Sequence, residues 1–192
     1  MKDKTYDLAF LRNGLDELES YLLSDELFWP MTGHPPGQST SFFKLTLGNL
    51  LLSMQRLSAY ALTGSFTPQE NAEYTKLRTL VDTIQQKWQV SWQKKADQEF
   101  PSRFKQWVNV LNDIKNDGYS NAAYYANDVR TRVLLDLLTP YSTESQGYDL
   151  SPLDAALRNM LKPAPFLWGE ALEPGFPEKT YWYLYGKIKL KE

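Results

Sequence analysis

Few side chains in this sequence could do chemistry. It contains one histidine, His34, and no cysteine. His34 lies in the segment LFWPMTGHPPG (residues 27–37), close to Phe28 and Trp29. An imidazole has a reference pKa of about 6.5, so His34 could act as a general base at neutral pH. Its glycine and proline neighbours are just as typical of an exposed turn, and we predict no catalytic residue.

The absence of cysteine excludes disulfides, thiolate nucleophiles, and thiolate zinc or iron–sulfur sites. The sequence has no GxGxxG, phosphate-loop, nucleophile-elbow or HExxH pattern. NDIKNDG (residues 112–118) has the outline of a calcium loop, but Lys115 stands where an oxygen ligand is required. We therefore expect no cofactor and no metal, and the sequence leans toward a non-enzymatic protein.

Basic and aromatic side chains are interleaved in residues 87–107. Such a face can bind single-stranded nucleic acid by stacking on bases and contacting phosphates. The alternative is that the tryptophans belong to a helical core, with the lysines at its solvated edge or facing the acidic side of the first helix. The net charge of -2 favours this alternative. The candidate face consists of Lys87, Trp88, Trp92, Lys94, Lys95 and Trp107.

Two segments rich in aromatic residues and proline, 28–37 and 163–186, each follow a predicted helix. We expect Phe28 and Trp29 to meet the rings of the second segment and form a hydrophobic plug over one end of a helical bundle. The alternative is that the same rings line a pocket with His34 at its mouth. The candidate residues are Phe28, Trp29, His34, Trp168, Trp182 and Tyr183.

Apolar residues at helical spacing predict the elements that would position these residues. Thr67, Pro68 and Glu70 form a capping signature at the start of the third helix, and nothing stops that helix before Phe100. This predicts a helix of about 32 residues, and with it a long antiparallel helical pair. The expected helices span about residues 5–24, 41–62, 68–100, 101–116, 120–139 and 151–162.

The C-terminal segment changes its pattern from Thr180 onward. Apolar and polar side chains alternate there, which predicts an extended strand. A lone strand needs a partner, either near residues 166–168 or in the same segment of a second chain.

The fold class we predict is all-α: a bundle of five or six helices that includes a long antiparallel helical pair, with an extended aromatic C-terminal tail. The 192 residues are enough for one domain, with the bundle in 1–162 and a proline-rich aromatic tail, 163–192, packed on it. The N-terminus has no apolar run of signal-peptide length, and residues 45–62 are too short and too polar to span a bilayer. We expect a cytoplasmic protein without a membrane partner.

Four segments resemble an uncharacterised bacterial family of helical proteins, and the resemblance covers nearly the whole chain. They are LDELESYLLSDELFWP, KLTLGNLLLS, KWQVSWQKKA and PFLWGEALEPGFPEKTYWYLYGKI. The resemblance implies a helical fold. It implies no activity and no functional residue.

Our first functional hypothesis is a non-enzymatic helical interaction protein that binds a partner protein or itself, with a dimer favoured. The alternative is a small-molecule binding protein or an enzyme that uses the aromatic cluster around Trp29, His34 and the C-terminal tail. A second alternative is weak binding of single-stranded nucleic acid through residues 87–107, although nucleic acid is not the favoured partner.

Overall fold

The computed structural model describes residues 3–116 and 124–189, and its fold is all-α, as the sequence predicts. The helices are α1 Lys4–Leu23, α2 Leu47–Leu62, α3 Pro68–Lys87, α4 Gln89–Asn116, α5 Tyr125–Asp128, α6 Arg130–Leu138, α7 Ser151–Met160 and α8 Glu178–Tyr181. Short 3-10 turns lie at Thr139–Tyr141, Glu144–Gly147, Glu170–Gly175 and Trp182–Leu184. Two short strands, β1 Leu161–Pro163 and β2 Gly186–Ile188, pair antiparallel.

Helices α1 and α2 form an antiparallel pair at the centre of the fold. At one end the backbone N–H of Leu47 donates to the Tyr21 hydroxyl over 3.2 Å, and at the other Ser53 donates to Asp7 over 3.2 Å. Leucines at helical spacing along α1 face this core, where Leu11 and Leu18 are fully buried. Helix α6 packs against both α2 and α4, so the core continues into the second half of the chain.

The predicted long third helix is wrong in its bounds. Its capping box forms as expected, since Thr67 accepts from the N–H of Glu70 and the Glu70 carboxylate accepts from the N–H of Thr67. The helix ends at Lys87 because Trp88 leaves helical geometry, and α4 then runs through Pro101 to Asn116. The break lets α3 lie along α1 while α4 extends past the C-terminal end of α1.

Helix α2 begins six residues later than predicted. Thr46 caps it by accepting from the N–H of Asn49. The preceding residues are extended, and Leu45 pairs with Trp29 through two backbone hydrogen bonds of 2.9 and 3.1 Å. The predicted start of the fifth helix, at residues 120–121, lies outside the described residues.

The strand predicted from Thr180 is mostly wrong. Residues 178–184 form α8 and a 3-10 turn, and the neighbours Tyr183 and Leu184 are both buried, so burial there does not follow the period of two seen in the sequence. Only Gly186–Ile188 is a strand, and it pairs with Leu161–Pro163. Near the predicted partner, the N–H of Leu167 donates to the carbonyl of Leu184 over 2.9 Å.

Candidate functional site

A cavity of about 420 Å³ opens where segments far apart in the sequence meet. The connection between α1 and α2 supplies one wall, α2 supplies a second, and the start of the second half of the chain supplies a third. The C-terminal segment closes it with Trp168. The described residues that line it are Gln38, Phe43, Leu52, Arg56, Ala126, Asn127, Arg130 and Trp168.

Arg130 is the most unusual side chain of this cavity. Its Nη2 donates to Oδ1 of Asn49 over 2.6 Å, and its guanidinium carbon lies 4.9 Å from the centre of the Phe43 ring. Asn49 is held in turn by donating its Nδ2 to the carbonyl of Lys44 over 2.8 Å. No carboxylate of residues 3–116 or 124–189 lies within 4.0 Å of Arg130.

This placement is costly for a charged group. Burial, together with the nearby positive charges of Arg103 and Arg56, lowers the pKa of the Arg130 guanidinium to about 10. A cation that lacks a counter-charge in a desolvated position favours the approach of an anion.

Arg56, the second arginine of the cavity, has a carboxylate partner. Its Nε lies 2.9 Å from Oδ2 of Asp7, and Asp7 also accepts from the Ser53 hydroxyl over 3.2 Å. Asp7 is 2% exposed, and burial raises the pKa of its carboxyl to about 7 although Arg56 opposes this shift. With Asp7 ionised, the two arginines and this carboxylate leave one positive charge uncompensated.

Apolar walls stand beside these charges. Phe43 is 46% exposed, a large value for a phenylalanine beside a buried core. The Trp168 indole N–H already donates to the carbonyl of Ala126 over 2.7 Å, and its ring packs edge-on against Phe176 with centroids 5.2 Å apart. The cavity therefore offers aromatic surface next to a guanidinium, a combination suited to a ligand with an apolar body and an anionic group.

The expected meeting of the two aromatic segments does not occur as predicted. Phe28 lies against Arg103, with the guanidinium carbon 5.5 Å from its ring centre, and Trp29 donates its indole N–H to Glu17 over 3.4 Å. Within the described residues neither ring contacts Trp168 or Trp182. The reason is the backbone pairing of Trp29 with Leu45, which holds this segment against α1.

His34 is exposed and does not line the cavity. Gln38 and Phe43, which come shortly after it, do meet Trp168 there. Of the predicted aromatic candidates, the structure thus brings only Trp168 to this cavity, with partners that the sequence did not single out.

Trp182 and Tyr183 anchor the C-terminal segment elsewhere. Arg158 lies over the Trp182 ring at 3.6 Å from its centre. Tyr183 is fully buried and donates its hydroxyl to Oδ2 of Asp136 over 2.6 Å. Arg132 is buried and bridges Asp136 and Asp154.

The residues of the candidate basic and aromatic face lie at the end of α3, at the break after it and in α4. Trp92 and Trp107 are buried, so neither ring is open to a base, and Trp88 is half-buried. Lys95 is also buried and donates to the backbone carbonyls of Ser24 and Glu26 beyond the end of α1.

The two other lysines of that face pair with acidic residues of α1 and the turn after it. Lys87 lies 3.1 Å from Glu19, and Lys94 lies 3.0 Å from Asp25. The lysines therefore face the acidic side of the first helix, which is one of the two positions that the sequence suggested.

Sequence reasoning missed the central residues Arg56 and Arg130. A signal for Arg56 was present, because Asn49, Ser53 and Arg56 are spaced four and three residues apart in an otherwise apolar helix and so share one face. No local pattern in the sequence marks the position of Arg130 beside the core.

Comparisons with known proteins add no further constraint. No family model, no curated protein and no solved structure matches this chain. In the described parts of the chain no helix is both long and apolar enough to cross a bilayer, and no cluster of acidic or histidine side chains could hold a metal ion.

Proposed function

We propose that this protein binds a small anionic molecule in the cavity between Arg130 and Trp168. The observation that supports this proposal is that Arg130 has no carboxylate partner among the described residues. It is an arginine in a desolvated position, donating one hydrogen bond to described residues and lacking a carboxylate neighbour among them. Guanidinium groups form strong charge-assisted hydrogen bonds with carboxylates, phosphates and sulfonates.

The surroundings of Arg130 favour a ligand over a purely structural role. Buried arginines elsewhere in the fold pair with carboxylates: Arg103 pairs with Glu99 over 2.7 Å, and Arg132 pairs with Asp154 over 2.9 Å. Arg130 instead faces a cavity of about 420 Å³, within the size range of small-molecule sites.

A fluorescent anion tests the proposal directly. 1-Anilinonaphthalene-8-sulfonate carries one sulfonate on an aromatic body, and we expect it to bind the folded protein with one-to-one stoichiometry. Arg130→Gln should weaken binding about 10–100-fold, because it removes a charge-assisted hydrogen bond in a desolvated site. Fluorescence titration measures both quantities.

Arg78→Gln is the matched control, since Arg78 is an exposed arginine of α3 that does not line the cavity. It removes the same charge and should leave the affinity unchanged. Equal binding by the Arg130→Gln protein, or equal weakening by both variants, would contradict the proposal.

The helical interaction protein stays a second prediction with weaker support. Large apolar side chains are exposed on several helices, with Leu62 at 68% and Val90 at 84%. They lie at the end of α2 and the start of α4, and no described contact joins them into one patch. Self-association, a partner protein and a cytoplasmic location therefore remain predictions from the sequence.

A further inference from the structure

We infer that the ligand of this cavity is an organic monoanion, a carboxylate carried by a flat apolar body. This inference rests on the proposed function and specifies its chemical class. It follows from the charge balance of the cavity, the geometry of Arg130 and the nature of the walls.

The charge balance favours a single negative charge. Arg56 and Arg130 both line the cavity, and Asp7 compensates one of them through its contact of 2.9 Å with Arg56. Arg103 lies near Arg130 but is paired with Glu99. The remaining lining side chains among the described residues are neutral. One anionic charge therefore neutralises the cavity, whereas a phosphate dianion would exceed this balance.

The position of Arg130 favours a planar anionic group. Asn49 holds one nitrogen of the guanidinium, and the Phe43 ring lies 4.9 Å from its central carbon. These two contacts restrict the orientation of the guanidinium plane. A carboxylate matches that plane through two parallel N–H···O bonds, so it can take the donors that Asn49 leaves unused.

The walls favour a flat apolar body attached to that carboxylate. Phe43 and Trp168 line the same cavity as Arg130. Leu52 and Ala126 add further apolar lining. Because the Trp168 N–H is already satisfied by the carbonyl of Ala126, this indole contributes mainly apolar ring surface. A flat ring between such walls would cover the exposed part of Phe43 and remove apolar surface from water.

Four probes separate the parts of this inference when each is titrated against the protein by isothermal calorimetry at about pH 8.5, where the Asp7 carboxyl is ionised. They are 2-naphthoate, its neutral isostere 2-naphthamide, 2-naphthyl phosphate, and acetate. We expect 2-naphthoate to bind at least about tenfold more tightly than each of the other three. Arg130→Gln should lower the affinity for 2-naphthoate about 10–100-fold, and Arg78→Gln should not change it.

Each contrary outcome identifies a different error. Tighter binding of naphthyl phosphate than of naphthoate would overturn the monoanion but leave an anion-binding function in place. Equal binding of acetate would overturn the apolar body. Equal binding of the naphthamide would overturn both the inference and the proposed function. If the sulfonate fluorophore binds through Arg130 and none of the four probes displaces it, the inference fails and the proposed function stands.

Discussion

The charged side chains within and beside the core of this protein differ in whether a carboxylate or guanidinium of the fold pairs with them. Glu99 of α4 is fully buried, and its carboxylate lies against the start of α2. It accepts from the Thr46 hydroxyl and from the N–H of Gly48, each over 2.8 Å. The Arg103 guanidinium forms an ion pair with the same carboxylate over 2.7 Å. Glu99 therefore stabilises the start of α2, and its charge is balanced within the fold. Arg130 has no comparable partner among the described residues, and that difference separates a structural charge from a candidate binding group.

At the same scale, Asp7 makes stability depend on pH. Burial raises the pKa of Asp7 from 3.8 to about 7 against the charges of Arg56 and Arg130, with Asp3 adding to the rise. The folded protein therefore holds this proton more tightly than the unfolded chain. The contribution of protonated Asp7 to the unfolding free energy is complete below the pKa of Asp7 in the unfolded chain. It is lost as the pH rises through the folded-state pKa of about 7.

We expect Asp7→Asn to remove this pH dependence. Between about pH 5 and about pH 8 the unfolding free energy of the parent protein should fall by about 2–3 kcal/mol more than that of the variant. Urea unfolding at both pH values measures the difference. Asp16→Asn, at an exposed position of the same helix, is the control and should behave like the parent protein. A parent-like profile of the Asp7→Asn protein would contradict the assignment.

Single residues were predictable from the sequence where their role is local. The capping residues Thr67 and Glu70 are of this kind, since their partners lie within three residues. The roles of Arg130 and Trp168 depend on residues more than 40 positions away, such as Asn49 and Ala126. A pattern in a short window carries no information about such pairs.

At the scale of elements, the turn Glu170–Gly175 lies directly on α2. A side chain at Gly175 would place its Cβ 2.6 Å from Cβ of Ala59 and 3.3 Å from the carbonyl of Gln55. Gln55 also donates its Nε2 to the carbonyl of Gly175. The close approach of the C-terminal segment to α2 therefore requires glycine here for space.

We expect Gly175→Ala to lower the unfolding free energy by about 1–3 kcal/mol, because the added methyl forces α2 and the turn apart. Ala59→Gly alone should cost about 1 kcal/mol of helix propensity. In the double variant, Ala59→Gly should restore part of the unfolding free energy that Gly175→Ala removes, because it deletes the Cβ with which the new methyl clashes. Chemical denaturation of the four proteins gives the coupling.

Gly147→Ala provides the control, because a Cβ at Gly147 meets no atom within 4 Å. Strict additivity of the two substitutions would show that the turn and α2 are not in the contact described.

The elements were predictable to different degrees for physical reasons. Helix α1 follows its leucine stripe closely, because an amphipathic face determines it locally. The break at Trp88 has no proline or glycine signal, and it arises because α3 and α4 pack on different parts of α1. Residues 180–185 alternate in sequence but are buried on more than one side, so tertiary packing overrides the period-two pattern.

At the scale of the whole molecule, the C-terminal segment is part of the same hydrophobic core as the helices. Tyr125 donates its hydroxyl to the carbonyl of Tyr183 over 2.8 Å, and Tyr183 reaches Asp136. The segment also supplies some of the most buried apolar side chains of the described chain, namely Trp168, Leu172, Phe176, Tyr183, Leu184 and Ile188.

A chain truncated after Lys162 should therefore lose cooperative folding. Burying each large apolar side chain contributes about 1.5–3 kcal/mol, so the sum removed is comparable to the total stability of a typical domain, about 5–15 kcal/mol. Circular dichroism with urea denaturation would show reduced helix content and a broad transition. A chain that ends at Lys189 is the control. An unchanged midpoint after truncation at Lys162 would contradict a shared core and favour a separate tail.

The cavity draws its walls from residues 38–56, from residues 126–130 and from Trp168, so it exists only when both halves of the chain are in place. Folding and occupancy of the cavity are for that reason thermodynamically linked across the whole protein. A ligand present at about 100 times its dissociation constant adds about 2.7 kcal/mol to the unfolding free energy. For a chain of this length that raises the melting temperature by about 5–10 °C. Heat resistance then serves as a reporter of the natural ligand, and candidate acids can be ranked by how far they delay unfolding.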